Sequence, residues 1–245
     1  MKDVKKNIED YFGFLEEHIA AIKNINSANF NDLYMKLLFM SFIDKLSSMV
    51  YPNKYPHDRI VSTLKRFSKW SHGNNVSLPH LLSLLNKTPD PEFEKLRLFV
   101  KSSYSSWSAG EVVTLDRDLN YNDVKKLWPK TKEYQILLRN VSIDSLTHFH
   151  LFYTYRNNLI HDLKTPTTDY DRKYDVEPFY MHVSELDGEG EIINESWVLN
   201  YPVKFLSVIA NAILSNIKKY LLDNELNPYD LFVIGNNWIE DLNSK

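Results

Sequence analysis

Apolar residues recur at helical spacing in long stretches at both ends of this 245-residue chain, and that period restricts it to a mainly α fold. Ile8, Tyr11, Phe12, Leu15 and Ile19 predict a first helix from about Asp3 to Lys23. Phe205, Ile209, Ile213, Ile217, Tyr220 and Leu221 line one face of a last long helix, with Pro202 suited to its first turn. Between them, Leu33, Leu37, Met40, Phe42 and Ile43 predict a second helix, capped by Asn29 or Asn31 and stopped at Tyr51-Pro52-Asn53. The first two helices are expected to form a hairpin.

Further helices are expected over Asp58 to Trp70, Leu78 to Leu85 and Pro91 to Ser105. Residues 107 to 129, which include the β-branched Val112-Val113-Thr114, read as an irregular insertion. Lys130 to Leu138 is expected to make one short helix. A long helix capped by Ser142 with Asp144 should end near His161. Two strand-like runs follow, Phe179 to Leu186 and Ile192 to Asn200, joined as a hairpin by Asp187-Gly188-Glu189-Gly190-Glu191. No internal repeat or polar linker divides the chain, so residues 1–245 are expected to form a single domain. A subdivision into 1–140 and 141–245 is the alternative.

Composition bounds the function. A net charge of −3 gives no global basic field, so nucleic acid would have to be held by a local patch or with a second subunit. The absence of cysteine removes disulfides, thiolate nucleophiles and zinc-thiolate sites, and suits a reducing cytoplasm. Met1-Lys2-Asp3-Val4-Lys5-Lys6 does not read as a secretory signal, and no apolar run reads as the roughly 20 residues a bilayer requires. The expectation is a cytoplasmic protein without membrane contact.

The stretch that reads as chemistry is Arg156-Asn157-Asn158-Leu159-Ile160-His161, at the end of the aromatic run Phe149-His150-Leu151-Phe152-Tyr153-Thr154-Tyr155. On a helix, Arg156 and His161 are separated by about 7.5 Å of rise and about 140° of rotation, whereas Asn157 and His161 share a face. A guanidinium, an imidazole and an orienting amide are the parts needed to cleave RNA through the ribose 2′-hydroxyl without a metal. His161 would move the 2′-OH or 5′-oxygen proton, and Arg156 would stabilise charge on the phosphorus oxygens. Arg156 favours a neutral imidazole, while the helix C-terminus and Asp162 favour the cation. One histidine cannot act on both sides of an in-line displacement, so the mechanism calls for a two-fold homodimer.

Arg-Asn-x3-His at the end of an aromatic helix resembles the HEPN superfamily, whose hallmark is Arg-x4-6-His with a polar residue after the Arg. Arg156, Asn157 and His161 match it position by position. The resemblance implies a HEPN-like helical bundle with additional N-terminal helices and one β-hairpin near residues 179–200. It also implies a metal-independent endoribonuclease that needs no cofactor, active as a homodimer on RNA, of the toxin–antitoxin or anti-phage class, with an antitoxin protein as a possible partner. Other members bind nucleotides or proteins without cleaving RNA.

Around the motif, Tyr153 and Tyr155 are candidates for stacking on a base, with at least one of them expected in the core. Lys164, Arg172 and Lys173 are candidates for phosphate contact, offset by Asp162, Asp169 and Asp171. His148 and His150 point about 200° apart on a helix, which suits core or solvated histidines better than a shared metal. Asp116-Arg117-Asp118 and Asp169-Tyr170-Asp171 read as solvated loop charges. Ser77-Leu78-Pro79-His80 reads as ordinary packing and capping at a helix start. Phosphate-binding Gly loops, Gly-x-Ser-x-Gly elbows and His-Glu-x-x-His pairs do not occur.

Overall fold

The computed structural model describes residues 2–26, 30–130, 135–163 and 176–231. Asn29, Lys164, Pro166, Asp169, Asp171, Arg172 and Lys173 lie outside the described residues. Among the described residues, eight α-helices and a three-stranded antiparallel sheet make a mainly helical protein. Its residues cluster as two compact units, Met1–Lys69 with Ser207–Lys245, and Trp70–Leu206. Their limits fall at 69/70 and 206/207, away from residue 140.

The first unit holds α1 (Lys2–Lys23), α2 (Asn31–Val50), α3 (Pro56–Phe67) and most of α8 (Val203–Asp223). Its core is the expected apolar stripes: Ile8, Phe12, Leu15 and Ile19 of α1 are buried, as are Ile209, Ile213, Ile217 and Leu221 of α8. Polar ties flank them. Lys218 Nζ pairs with Glu9 Oε2 at 2.7 Å, and Asn216 Nδ2 donates to the carbonyl of Phe67 at 2.7 Å. By length and composition α8 alone, among the described residues, could cross a bilayer. Phe205, Leu206, Ala210 and Leu214 on it are buried within the protein.

The second unit holds α4 (Leu78–Asn86), α5 (Glu94–Tyr104), α6 (Tyr121–Leu127), α7 (His148–Asp162) and the sheet, in the order β1 (Val112–Thr114), β2 (Phe179–Leu186), β3 (Ile192–Asn200). The hairpin forms over the two strand-like runs expected for it. The third strand corrects the expected irregular insertion: Val112 pairs with Met181 and Thr114 with Phe179. The same stretch also contains α6, whose start is set by Asn120, with Oδ1 accepting from the N–H of Asn122 at 2.9 Å.

Of the short helix expected over Lys130 to Leu138, residues 131–134 lie outside the described residues, and Lys130 and 135–138 are not helical: Lys130 bridges Gln135. Trp128 precedes Pro129 and is extended, as the proline ring demands. Trp128 Nε1 donates to the carbonyl of Ile136 at 2.7 Å, and Leu138 bridges Val141. Ser142 and Asp144 do not cap α7 either. Ser142 precedes, and Asp144 opens, a 3-10 turn, Asp144–Leu146, and α7 begins only at His148.

Candidate functional site

Helix α7 is seated by its surroundings from its first residue. The free N–H groups of its first turn, which have no partner within the helix, are taken up by the segment 73–75: His148 N–H donates to the carbonyl of Asn75 at 3.2 Å and Phe149 N–H to that of Gly73 at 2.8 Å. Phe149, Phe152, Tyr155 and Leu159 are buried and form its inner face. Trp70 stands at the centre of the aromatic packing, with ring centroids 5.7 Å from Phe149, 5.0 Å from Phe205 and 6.2 Å from Tyr201. Tyr155 packs edge-on against Tyr201 at 4.8 Å. Tyr153 is half-buried, and of the two tyrosines is the one nearer solvent.

The far end of α7 carries the motif. Arg156 and Asn157 are half-buried and His161 is exposed. The Arg156 guanidinium donates from Nη1 to Asn157 Oδ1 at 2.9 Å. Asn157 therefore orients the arginine beside it, and among the described residues no hydrogen bond joins it to His161, the partner its helical spacing suggested. The helix stops at Leu163, a non-glycine residue in the left-handed region (φ +51°) whose N–H donates to the carbonyl of Asn158. That stop leaves the imidazole of His161 in the last turn, facing solvent.

The near end of α7 carries a polar cluster that the sequence reading assigned to loop charge and ordinary capping. Asp118 is not a solvated loop residue: its side chain and that of His148 are both fully withdrawn from solvent, and Oδ2 meets His148 Nε2 at 2.6 Å. Asp118 Oδ1 accepts the N–H of Leu78 at 2.8 Å, so this carboxylate caps α4 from across the unit. Ser77 sits at the capping position itself but its hydroxyl makes no cap bond. It lies 2.7 Å from Tyr180 Oη and 2.7 Å from His80 Nδ1, while Tyr180 Oη lies 2.9 Å from Asp118 Oδ2. Burial, then the charge of Asp118, pushes the Tyr180 hydroxyl well above its usual range. Burial and the neighbouring His148 lower the His80 imidazole to about 4, against an opposing pull from Asp118.

Among the described residues no group of three or more His, Asp and Glu side chains is placed to hold a metal ion. The chain matches no family model, no curated protein and no solved structure.

Proposed function

We propose that this chain is a metal-independent endoribonuclease of HEPN type that acts as a homodimer on RNA. The observation that carries the reading is the Arg156–Asn157 hydrogen bond on α7, one helical turn before the exposed His161. The amide helps to orient the guanidinium, and preorganised charge is what stabilises a phosphorane-like transition state.

In the reaction, the ribose 2′-oxygen attacks the adjacent phosphorus as an imidazole removes its proton. The bond from phosphorus to the 5′-oxygen breaks, that oxygen takes a proton from a second imidazole, and a 2′,3′-cyclic phosphate remains. One chain supplies one His161, so the second imidazole comes from a second copy of α7. A second copy would also bring a second Arg156 into the groove between the two motif helices, a local positive pair where the phosphates lie. A toxin–antitoxin or anti-phage role, with an antitoxin protein masking the groove, fits such an activity.

The test is incubation of the purified protein with RNA in EDTA, with end mapping and light scattering. The expected result is a dimer that leaves 2′,3′-cyclic or 3′-phosphate ends, and a loss of about a hundredfold or more in His161→Ala and Arg156→Ala proteins of unchanged circular dichroism. Cleavage at the wild-type rate by the His161→Ala protein would sink the reading. A monomer that binds nucleotide or protein without cleaving RNA assigns the motif to a non-catalytic HEPN-like module.

A further inference from the structure

Residues 44–69 carry six Lys and Arg against two Asp, in a chain whose net charge is −3. A polyanion can be held by such a chain only where charge is locally concentrated, and this stretch is such a place. It forms the end of α2, the turn to α3 and α3 itself, all within the first unit. Both of its carboxylates are taken by near neighbours. Asp44 Oδ1 accepts from Arg59 Nη2 at 2.7 Å and Nε at 3.2 Å, and Asp58 Oδ1 lies 2.9 Å from His57 Nδ1.

Lys54, Arg66 and Lys69 are exposed, and among the described residues no carboxylate pairs with them. Rings and hydroxyls hold two of them instead. Lys54 Nζ stands 4.4 Å over the Tyr51 ring and donates to Ser62 Oγ at 2.8 Å, while the Arg66 guanidinium lies 4.4 Å over the ring of Tyr220 and bonds the Tyr51 hydroxyl. Lys69 stands just past the α3 C-cap, Ser68. An ammonium has three donors and a stacked guanidinium keeps its edge open, so both cations are oriented and can still meet a phosphate.

Helix stability accounts for Arg66, in the last turn of α3, but not for Lys54, which precedes the helix where the macrodipole disfavours a cation. Nor does packing account for Tyr55, whose side chain is 82% exposed directly after Lys54. Pro56 restricts the Tyr55 backbone to the extended region, at φ −58° and ψ 151°. An aromatic ring is thus presented to solvent from a fixed main chain beside oriented cations.

We infer that the α2–α3 turn and the outer face of α3 form a surface that holds single-stranded RNA, with Lys54, Arg66 and Lys69 on phosphates and Tyr55 stacked on a base. Cations that track a backbone beside an aromatic ring are the two parts such binding needs, and a ring can stack only on a base that is out of a duplex. The inference rests on the proposed reading for its choice of RNA as the polyanion, and it gives the RNA a binding surface separate from the α7 motif.

Fluorescence anisotropy of a labelled single-stranded RNA of about 12 nucleotides tests it, in EDTA, on the whole chain carrying His161→Ala so that the strand stays intact. Adding Lys54→Gln, Arg66→Gln and Lys69→Gln together should weaken binding about tenfold or more and flatten the slope of log affinity against log salt by about 2. Restoring charge with Arg66→Lys in place of Arg66→Gln should return part of that slope. Tyr55→Ala should weaken binding about tenfold without changing the slope, Tyr55→Phe should not, and an abasic strand of equal length should be indifferent to both. Wild-type affinity and slope in the triple variant would overturn the inference. So would wild-type affinity in Tyr55→Ala, no binding of RNA, or binding of anionic phospholipid vesicles in place of RNA that the same substitutions abolish. Binding with the expected signatures by a protein that never cuts RNA leaves this surface standing and removes the proposed activity; cleavage by wild type with binding unaltered in the variants does the reverse.

Discussion

Asp118 Oδ2 and His148 Nε2 meet at 2.6 Å with neither side chain exposed, at the first residue of the helix whose last turn carries His161. A buried carboxylate is tolerable only when its lone pairs are used, and here three donors converge on it: His148, Tyr180 and the Leu78 N–H. The pair thus fixes where α7 begins, and the aromatic face of α7 fixes how the motif at its other end is presented.

Removing one partner of such a pair strands the other in a dry environment. Asp118→Asn should therefore destabilise the protein by about 3 kcal/mol, measured by urea unfolding at pH 7. The carboxamide can still accept from Leu78 N–H, so the loss reports the charge together with the His148 and Tyr180 bonds at Oδ2. A loss under about 1 kcal/mol would show that the pair contributes little net stability.

At the alkaline end the first unit supplies a different titration. Tyr11 of α1 is held up to about 12 by burial and by its neighbour Tyr229, whose ring lies 5.8 Å away. The folded value lies above the unfolded value of 10, so its contribution is complete below pH 10 and disappears as pH rises toward 12. Urea midpoints measured between pH 9 and 11.5 should fall in wild type and fall less steeply in Tyr11→Phe. Parallel curves would count against this assignment.

What could be read from the chain, and what could not, divides along physical lines. The stripes of α1 and α8 and the strand-like runs of β2 and β3 with their Gly-containing linker are local patterns, and local patterns specify elements. Strand β1 is three residues whose identity as a strand depends on pairing with Phe179 to Met181, far along the chain. Asp118 looks like its exposed neighbour Asp116 in sequence; only tertiary packing brings His148, Tyr180 and Ser77 around it. At the motif, spacing placed Arg156, Asn157 and His161 on one helix. It could not say that the Asn157 amide would turn to Arg156 instead of His161, because rotamers answer to packing as well as to spacing.

Gly73 is required by α7 for reasons of space. A Cβ at this position would lie 2.2 Å from Phe149 Cε1, and the ring cannot easily yield because Trp70 packs edge-on against it with centroids 5.7 Å apart. The Gly73 carbonyl also accepts the Phe149 N–H at 2.8 Å, which ties the two backbones together. Gly73→Ala should cost about 1–3 kcal/mol through overpacking. The double variant Gly73→Ala, Phe149→Leu should recover part of that loss in thermal unfolding. No recovery would place the strain elsewhere.

The amide of Asn157 separates orientation from charge at the motif, given the proposed cleavage. Asn157→Ala removes the Oδ1 that accepts from Arg156 Nη1 at 2.9 Å but leaves the guanidinium charged, so cleavage should fall by about tenfold as the arginine loses one of its orienting bonds. Asn157→Asp keeps an acceptor in the same place and adds a carboxylate that neutralises the guanidinium, which should cut cleavage as deeply as Arg156→Ala, by about a hundredfold or more. Single-turnover rates on one RNA, for proteins with unchanged circular dichroism, make the comparison. If Asn157→Asp cleaves as well as Asn157→Ala, the positive charge of Arg156 is not what the transition state uses.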